Sequence, residues 1–439
     1  MAPASTALAL GDPIRPVQYL GAKSRSLSVL LKVLADELPR SSAVADVFAG
    51  SSLVAQGVAR DDHVVGAYDA LEHCAHFARA LLGVDRAESD APPQLDLGAG
   101  QAEEGPWASW LRRERRAVEL EDSEELLTIS RSLPQVWRPE EASSELAEMF
   151  LQLTPGTRPA AGLVAPLYAG TYFGLEQALE IDLIREAIAA AAEVGAIDSW
   201  QESLLITTLL SAASECAFSA GKHYAQPHRI KEGKDLAFIR GRILSDRRKD
   251  LRRLFEARLA SLYAVALPEE GHRAGARTLE QLVREPEALG EVEAIYADPP
   301  YTAQQYSRFY HVPEVISAYR VPSLQRINGA VTSGLYPEPA ERHHSRFCSR
   351  REAPAAFVDL CSLASGRGAI LFLSYSFTRN GETGNRRSID LPELREIVAE
   401  HFTEVTEREI PLAYRQFNAG GTSVAGRSDA EILIVAKTR

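Results

Sequence analysis

The stretch Ala294–Tyr301, AIYADPPY, gathers residue types suited to chemistry on a planar amine. The stretch from Val292 to Ala297 reads as a buried strand and leads straight into Asp298-Pro299-Pro300-Tyr301. Neither proline donates to a strand ladder and each fixes its own φ, so the strand must end in a rigid turn. Open α/β sheets place their sites at such carboxyl ends. The turn offers one carboxylate, carbonyls with no competing N–H, and an aromatic ring. Asp298 and the Pro299 carbonyl can accept both hydrogens of an exocyclic amino group, and Tyr301 can stack on the ring that carries it. Accepting those hydrogens localises the nitrogen lone pair and makes the amine a nucleophile. The reading without chemistry is a strand-ending turn with an N-cap-like aspartate. The amine reading predicts that Asp298 works as a carboxylate, with no rise in rate from its titration above about pH 6.

A second constellation lies near the start of the chain. Ala43–Val47 reads as a strand, and Asp46-Val-Phe48-Ala-Gly50 carries it into a small-residue turn and a helix. A further strand, Val64–Tyr68, ends at Asp69. An acid at a strand tip about 20 residues after a glycine turn is where nucleotide-binding folds bond ribose hydroxyls. The turn has one glycine where a dinucleotide fingerprint has three, which argues against a pyrophosphate ligand. Any βαβ crossover shares the general pattern.

These residues need a large scaffold, and 439 residues can supply two or three domains. Hydrophobic content of 45% and charged content of 25% are those of a soluble globular protein. No apolar run is long enough to span a bilayer, and the N-terminus lacks the basic start of a signal peptide. The four cysteines, Cys74, Cys216, Cys348 and Cys361, form no CxxC pair, which favours a reducing cytoplasm over a zinc or disulfide framework. Apolar spacing predicts a helix from Ser24 to Leu38. From Trp107 to Leu289 helix dominates, with examples at Ser143–Leu153, Leu175–Val194, Ser203–Ala220 and Asp246–Leu267, and little strand character. Within it Arg229–Arg258 holds eleven Lys and Arg against five Asp and Glu. Arg242, Arg247, Arg248, Lys249, Arg252 and Arg253 are dense enough to meet a phosphate backbone. Such runs are more commonly solvated, salt-bridged helix faces, and the net charge of −12 weighs against nucleic acid.

After the catalytic-type turn, Tyr306 and Tyr310 are four apart and share one face of a helix. His311 beside them has no second His or Cys at metal spacing, so no metal is expected. Ala369–Ser376 reads as another buried strand. A Gly/Asn/Arg loop follows, from which Arg379 and Arg386 could reach phosphates; a plain solvated loop has the same composition. Phe402–Ile410 and Glu431–Lys437 read as the last strands.

Taken in order, QYLGAK, DVFAG, Asp69, a helical insert, YADPPYTAQQYSRFYH and LFLSYS resemble the Dam-like group of adenine-specific DNA methyltransferases. Two insert segments, TYFGLEQALEIDLIREAI and SLLITTLLSAASECAFSAGKHYAQPHRIK, resemble helices of one bacterial branch of that group. The resemblance covers residues 17–90 and 165–439. It implies a class I methyltransferase fold, a Rossmann-like and mostly parallel seven-stranded sheet with a helical insert, and S-adenosyl-L-methionine as cofactor. Tyr19, Gly21 and Lys23 match the segment over the methionine end of that cofactor. Asp46, Phe48 and Gly50 match its strand-turn, Asp69 the acid on its ribose, and Asp298, Pro299, Pro300 and Tyr301 the catalytic turn, where Asp298 also borders the cofactor. Two positions depart from the pattern. Ser52 stands where the family has a second glycine, putting a side chain near the amino-acid end of the cofactor. The family acid that bonds the cofactor adenine is missing; Ala274–Leu282 offers only Glu280, slightly beyond its place.

The resulting expectation is methyl transfer to the adenine 6-amino group of DNA, with the base flipped out of the stack. The enzyme would be cytoplasmic, associated with the nucleoid, and the modification partner of a restriction endonuclease or other defence subunits. The expected organisation is a tail (1–13), a cofactor-binding part (14–106), a helical DNA-contacting insert (107–289) and a catalytic part (290–439). Transfer to the cytosine exocyclic amine, transfer to RNA adenine, and a DNA-binding defence subunit with a weakened cofactor site are the alternatives. Ser52 and the missing acid point to the last of these.

Overall fold

The computed structural model describes all residues except 1–11, 20–22, 88–90, 98–104, 223, 229, 231–235, 269, 379–386, 411–428 and 439. Gly21, Arg379 and Arg386 therefore lie outside the described residues. Nine strands are present among those described: β1 (Ala43–Asp46), β2 (Val64–Asp69), β3 (Arg273–Ala276), β4 (Ala294–Ala297), β5 (Arg326–Ile327), β6 (Ala330–Val331), β7 (Ile370–Thr378), β8 (Glu404–Ile410) and β9 (Asp429–Lys437). β5 and β6 form a separate hairpin. The other seven make one sheet in the order β3-β2-β1-β4-β7-β9-β8, in which β9 alone runs antiparallel. This mostly parallel sheet with helices on both faces is the class I methyltransferase fold.

Period-two side-chain alternation separates two cores. Ala45, Val47, Ile295, Ala297, Leu371, Leu373, Ile432 and Ile434 pack on one face with Leu282, Phe357, Leu360 and Leu394. Val44, Ala294, Tyr296, Phe372, Leu433 and Val435 pack on the other with Leu30, Leu34, Val54 and Val58. Because both faces are covered, the central strands read as continuous apolar runs rather than alternating ones. β1 is flanked by β2 and β4, so the chain reverses its direction of travel across the sheet there. Such a switch point opens a crevice at the strands' carboxyl ends.

Between β2 and β3 the chain leaves the sheet and builds a third, helical core that includes Leu127, Tyr168, Phe173, Ile184, Leu209 and Ile243. Val312, Val315 and Ile316, from the helix after the Asp-Pro-Pro-Tyr turn, join the same core. The stretch read as helical through Leu289 ends sooner. Its last long helix stops at Val265, and β3 returns to pair with β2 as the sheet edge. Asp246–Leu267 is likewise not one helix but the end of Leu236–Arg247 followed by Leu251–Val265. Asp250 restarts the chain by accepting the Arg253 N–H at 3.0 Å, an N-cap that the apolar spacing did not reveal. The helix expected over Ser203–Ala220 spans Ser199–Cys216, started by a reciprocal capping box of Asp198 and Gln201. No described helix is long and apolar enough to cross a membrane.

Candidate active site

Asp46, Asp69 and Asp298 stand at the carboxyl ends of β1, β2 and β4, and all three border one cavity of about 970 Å³ including its mouth. Tyr19, Lys23, Phe48 and Gly50 line it too. Every described residue assigned to a cofactor by sequence is therefore brought to a single crevice at the switch point. The turn after β1 needs its glycine twice over. Gly50 has φ +50°, and a Cβ there would come within 3.0 Å of the Tyr19 ring. Its N–H donates to Asp69 at 2.9 Å, and the Leu71 N–H donates to the other oxygen of that carboxylate at 3.0 Å. Burial raises the Asp69 pKa, and these two N–H groups oppose the shift. Asp46 is only 2% exposed and accepts the Phe48 N–H at 3.3 Å. Burial, with the negative neighbours Asp298 and Asp69 adding to it, pushes Asp46 up to about 8.

Tyr19 lies flat on Tyr310, ring centroids 4.3 Å apart and planes 5° from parallel, and Tyr306 stacks at 5.9 Å. The shared face predicted for Tyr306 and Tyr310 is real, with the two rings 6.1 Å apart. It is built from two short helices that break at Tyr310, not from one. The segment carrying Lys23 is thereby fixed against the chain that follows the catalytic-type turn.

In that turn, Asp298 Oδ1 lies 2.9 Å from Lys23 Nζ, and the same ammonium lies 2.7 Å from Glu431 Oε1 at the start of β9. Burial pushes Asp298 up to about 6; Lys23 pulls it down and Glu431 pushes it up again. Pro299 is buried and Pro300 borders the cavity. The Tyr301 ring carries the Arg387 guanidinium at 4.8 Å from its centroid and meets Tyr375 edge-on at 6.2 Å. The Ser388 N–H donates to the Tyr301 carbonyl at 3.1 Å, which straps the turn to the chain after β7.

Some lining residues escaped the sequence reading. Thr278 and Leu279 form one wall, beside Glu280, the acid that the sequence did offer near the missing one, at the start of a helix whose capping box pairs Thr278 with Gln281. His343, Ser345 and Phe347 form another. A two-way amide clamp holds this second wall to the turn: Gln305 donates to the Ser345 carbonyl at 3.1 Å and accepts the Ser345 N–H at 2.8 Å. A T-x-x-Q capping signal marked the first wall; nothing local marked the second. Ser52 does not border the cavity, contrary to expectation. It is fully buried at φ 59°, and its Oγ has no hydrogen-bond partner. Its neighbour Ser51 lines the site instead.

Most of the basic run assigned to phosphates is paired with carboxylates, and one member is buried. Arg242 and Lys249 both pair with Asp246, which has no exposed side-chain surface. Arg252 grips Glu180 with two bonds, at 3.0 and 3.2 Å, and Arg248 pairs with Glu121. Arg247 is 6% exposed, with its guanidinium over the Phe218 ring. Burial takes it out of reach of any phosphate, correcting its assignment. Arg253 also pairs, with Asp250, yet its side chain stays 86% exposed. No group of described His, Cys, Asp or Glu residues has the arrangement of a metal site.

The cavity is lined by four acidic residues, Asp46, Asp69, Glu280 and Asp298, against the cations Lys23 and Arg277. That charge balance suits a cationic ligand, and Asp69 sits where ribose hydroxyls are bound in sheets of this kind. No family model matches the chain. The chain is similar to the modification methylase LlaI of Lactococcus lactis subsp. lactis, with 25% identity over 272 residues. That match covers 61% of this chain and 37% of the length of the relative.

Proposed function

We propose that the protein transfers a methyl group from S-adenosyl-L-methionine to the 6-amino group of adenine in DNA, as the modification enzyme of a restriction or defence system. The observation that carries this reading is the convergence of Asp298 with Asp46, Asp69 and Lys23 on one cavity at the switch point. The similarity to a modification methylase supports DNA as the substrate and methylation as the reaction. The residues present fit the cofactor. The acid at the end of β2 is placed for its ribose hydroxyls, the buried Asp46 carboxylate for its positive end, and Gly50 leaves the cradle open. When bound, the cofactor supplies an electrophilic methyl group on a sulfonium. Asp298 and the Pro299 carbonyl accept the amino hydrogens and hold the nitrogen lone pair on line. Tyr301 orients the flipped ring, with Arg387 behind it. Among the basic residues, exposed Arg253 is offered as a phosphate contact, as are Arg379 and Arg386 of the loop after β7.

The test is single-turnover transfer of tritiated methyl to unmethylated plasmid, followed by identification of the labelled base. Label in N6-methyladenine is expected. Asp298→Asn replaces an acceptor with a donor facing the amine and should slow transfer by about a hundredfold or more. Label in cytosine would replace the base assignment, and an Asp298→Asn rate close to the parent's would remove the catalytic one.

A further inference from the structure

Glu431 belongs to no motif in the sequence, yet it reaches the centre of the site. It lies near the start of β9, paired with Ser376 on β7 and Ile410 on β8, and its side chain is 12% exposed. Its Oε1 takes the Lys23 ammonium at 2.7 Å and the Ser374 hydroxyl at 2.6 Å. Lys23, 8% exposed, is thus shared between two carboxylates, the other being Asp298 at 2.9 Å. This sharing has a chemical consequence. Lys23 lies against Asp298 Oδ1, so an amino group arriving at that oxygen competes with the ammonium. If Asp298 were the sole partner of Lys23, receiving the amine would strand a buried ammonium, which is costly.

We propose that Glu431 is a positioning residue for methyl transfer: as second counter-ion it retains Lys23 and lets Asp298 turn its carboxylate to the incoming amine. The inference rests on the reaction proposed above and adds a residue to it. The Ser374 hydroxyl donates to Glu431, so the pair Ser374–Glu431 anchors the Lys23 ammonium to the sheet. The charged and titratable groups around Asp298 are Lys23 from the turn before the first helix, Asp46 of β1, Tyr296 of β4 and Glu431 of β9. Only Lys23 favours the carboxylate form; Glu431 disfavours it.

Removing the Glu431 charge therefore moves the Asp298 titration downward on two counts: a negative neighbour is lost, and Lys23 falls wholly to Asp298. The experiment follows the Asp298 carboxyl carbon by NMR in protein labelled at aspartate, assigned by the signal lost in Asp298→Asn. Glu431→Gln should lower the Asp298 midpoint by about one pH unit, while Glu431→Asp, which keeps the charge, should stay near the parent. Single-turnover transfer to unmethylated plasmid should slow about tenfold in Glu431→Gln, the scale seen when the partner of a reacting residue is lost, with the acid limb of its pH profile moved the same way. Glu431→Asp should recover most of the rate. A merely structural glutamate would change stability and leave the midpoint alone. An unmoved midpoint in folded Glu431→Gln, or a rate equal to the parent's, overturns the proposal. The carboxyl titration needs neither cofactor nor DNA, so it decides the Glu431 linkage even if the parent methylates no DNA.

Discussion

Three aspartates share one crevice, and their surroundings set them different tasks. Asp298 titrates near 6 because burial is countered by Lys23, so it is a carboxylate at neutral pH and a mixture at the acid edge of the working range. That agrees with a role as acceptor, with the rate falling only as pH drops through about 6. Asp46 has no such cation and is pushed up to about 8. The folded protein then holds a proton there that the unfolded chain gives up. The stability this contributes is fully present below the unfolded value of 3.8 and is lost as pH rises through about 8. Asp46→Asn removes the dependence. Without cofactor, the variant should melt near the parent at pH 5 and above it at pH 8.5, as read by scanning calorimetry. At pH 8.5, where the parent Asp46 is a carboxylate, the variant should also bind S-adenosylmethionine more weakly, because a cationic ligand loses its counter-charge. A parent more stable at pH 8.5 than the variant would show that Asp46 is already ionised and paired.

At the scale of elements, the turn between β1 and the following helix, Leu53–Arg60, carries a cost that its sequence announces. Ser52 adopts φ 59° and ψ 19°, a left-handed conformation that costs a residue with a Cβ about 1 kcal/mol or more. Its buried hydroxyl, without a hydrogen-bond partner, adds to that. Ser52→Gly relieves both and gives back part of the gain through a more flexible unfolded chain. The expected outcome is a net stabilisation of about 1 kcal/mol, seen as a higher urea midpoint with an unchanged slope. Cofactor affinity should stay the same, since Ser52 does not border the cavity. A lower midpoint would mean that the serine hydroxyl holds the turn together.

Across the whole molecule, the basic run spends most of its positive charge on neighbouring carboxylates. Glu180, Glu121, Asp246 and Asp250 take up five of the six basic residues between Arg242 and Arg253, and Arg247 lies inside. Arg252→Gln should cost about 1 kcal/mol or less, as expected for a partly exposed pair, and leave the salt dependence of DNA binding unchanged. Arg253→Gln should leave stability alone and flatten that dependence by about one unit of slope if its exposed guanidinium meets a phosphate. Titrating DNA binding against salt for both variants separates the two. A slope lost in Arg252→Gln would show that DNA pulls this arginine away from Glu180.

The sequence by itself determined what local rules control. Apolar runs marked the central strands β1, β2, β4 and β7, since strands buried on both faces need apolar residues throughout, whereas the edge strand β3 has no such run and was not legible. The paired prolines marked the end of β4, since neither can extend a ladder. Asp69 at a strand tip after Gly50 marked the crevice, and the aromatic spacing marked the Tyr306–Tyr310 face. Tertiary structure decided what depends on residues distant in the chain. Glu431 meets Lys23 only because β9 inserts between β7 and β8 as the one antiparallel strand. The Gln305–Ser345 clamp closes a wall across forty residues that no periodicity links. Most consequential is the basic run, whose density is visible in one dimension while its partners, Glu180 and Glu121 among them, come from other helices. Charge density along a chain counts cations; only the packing of neighbouring helices decides which of them remain for a ligand.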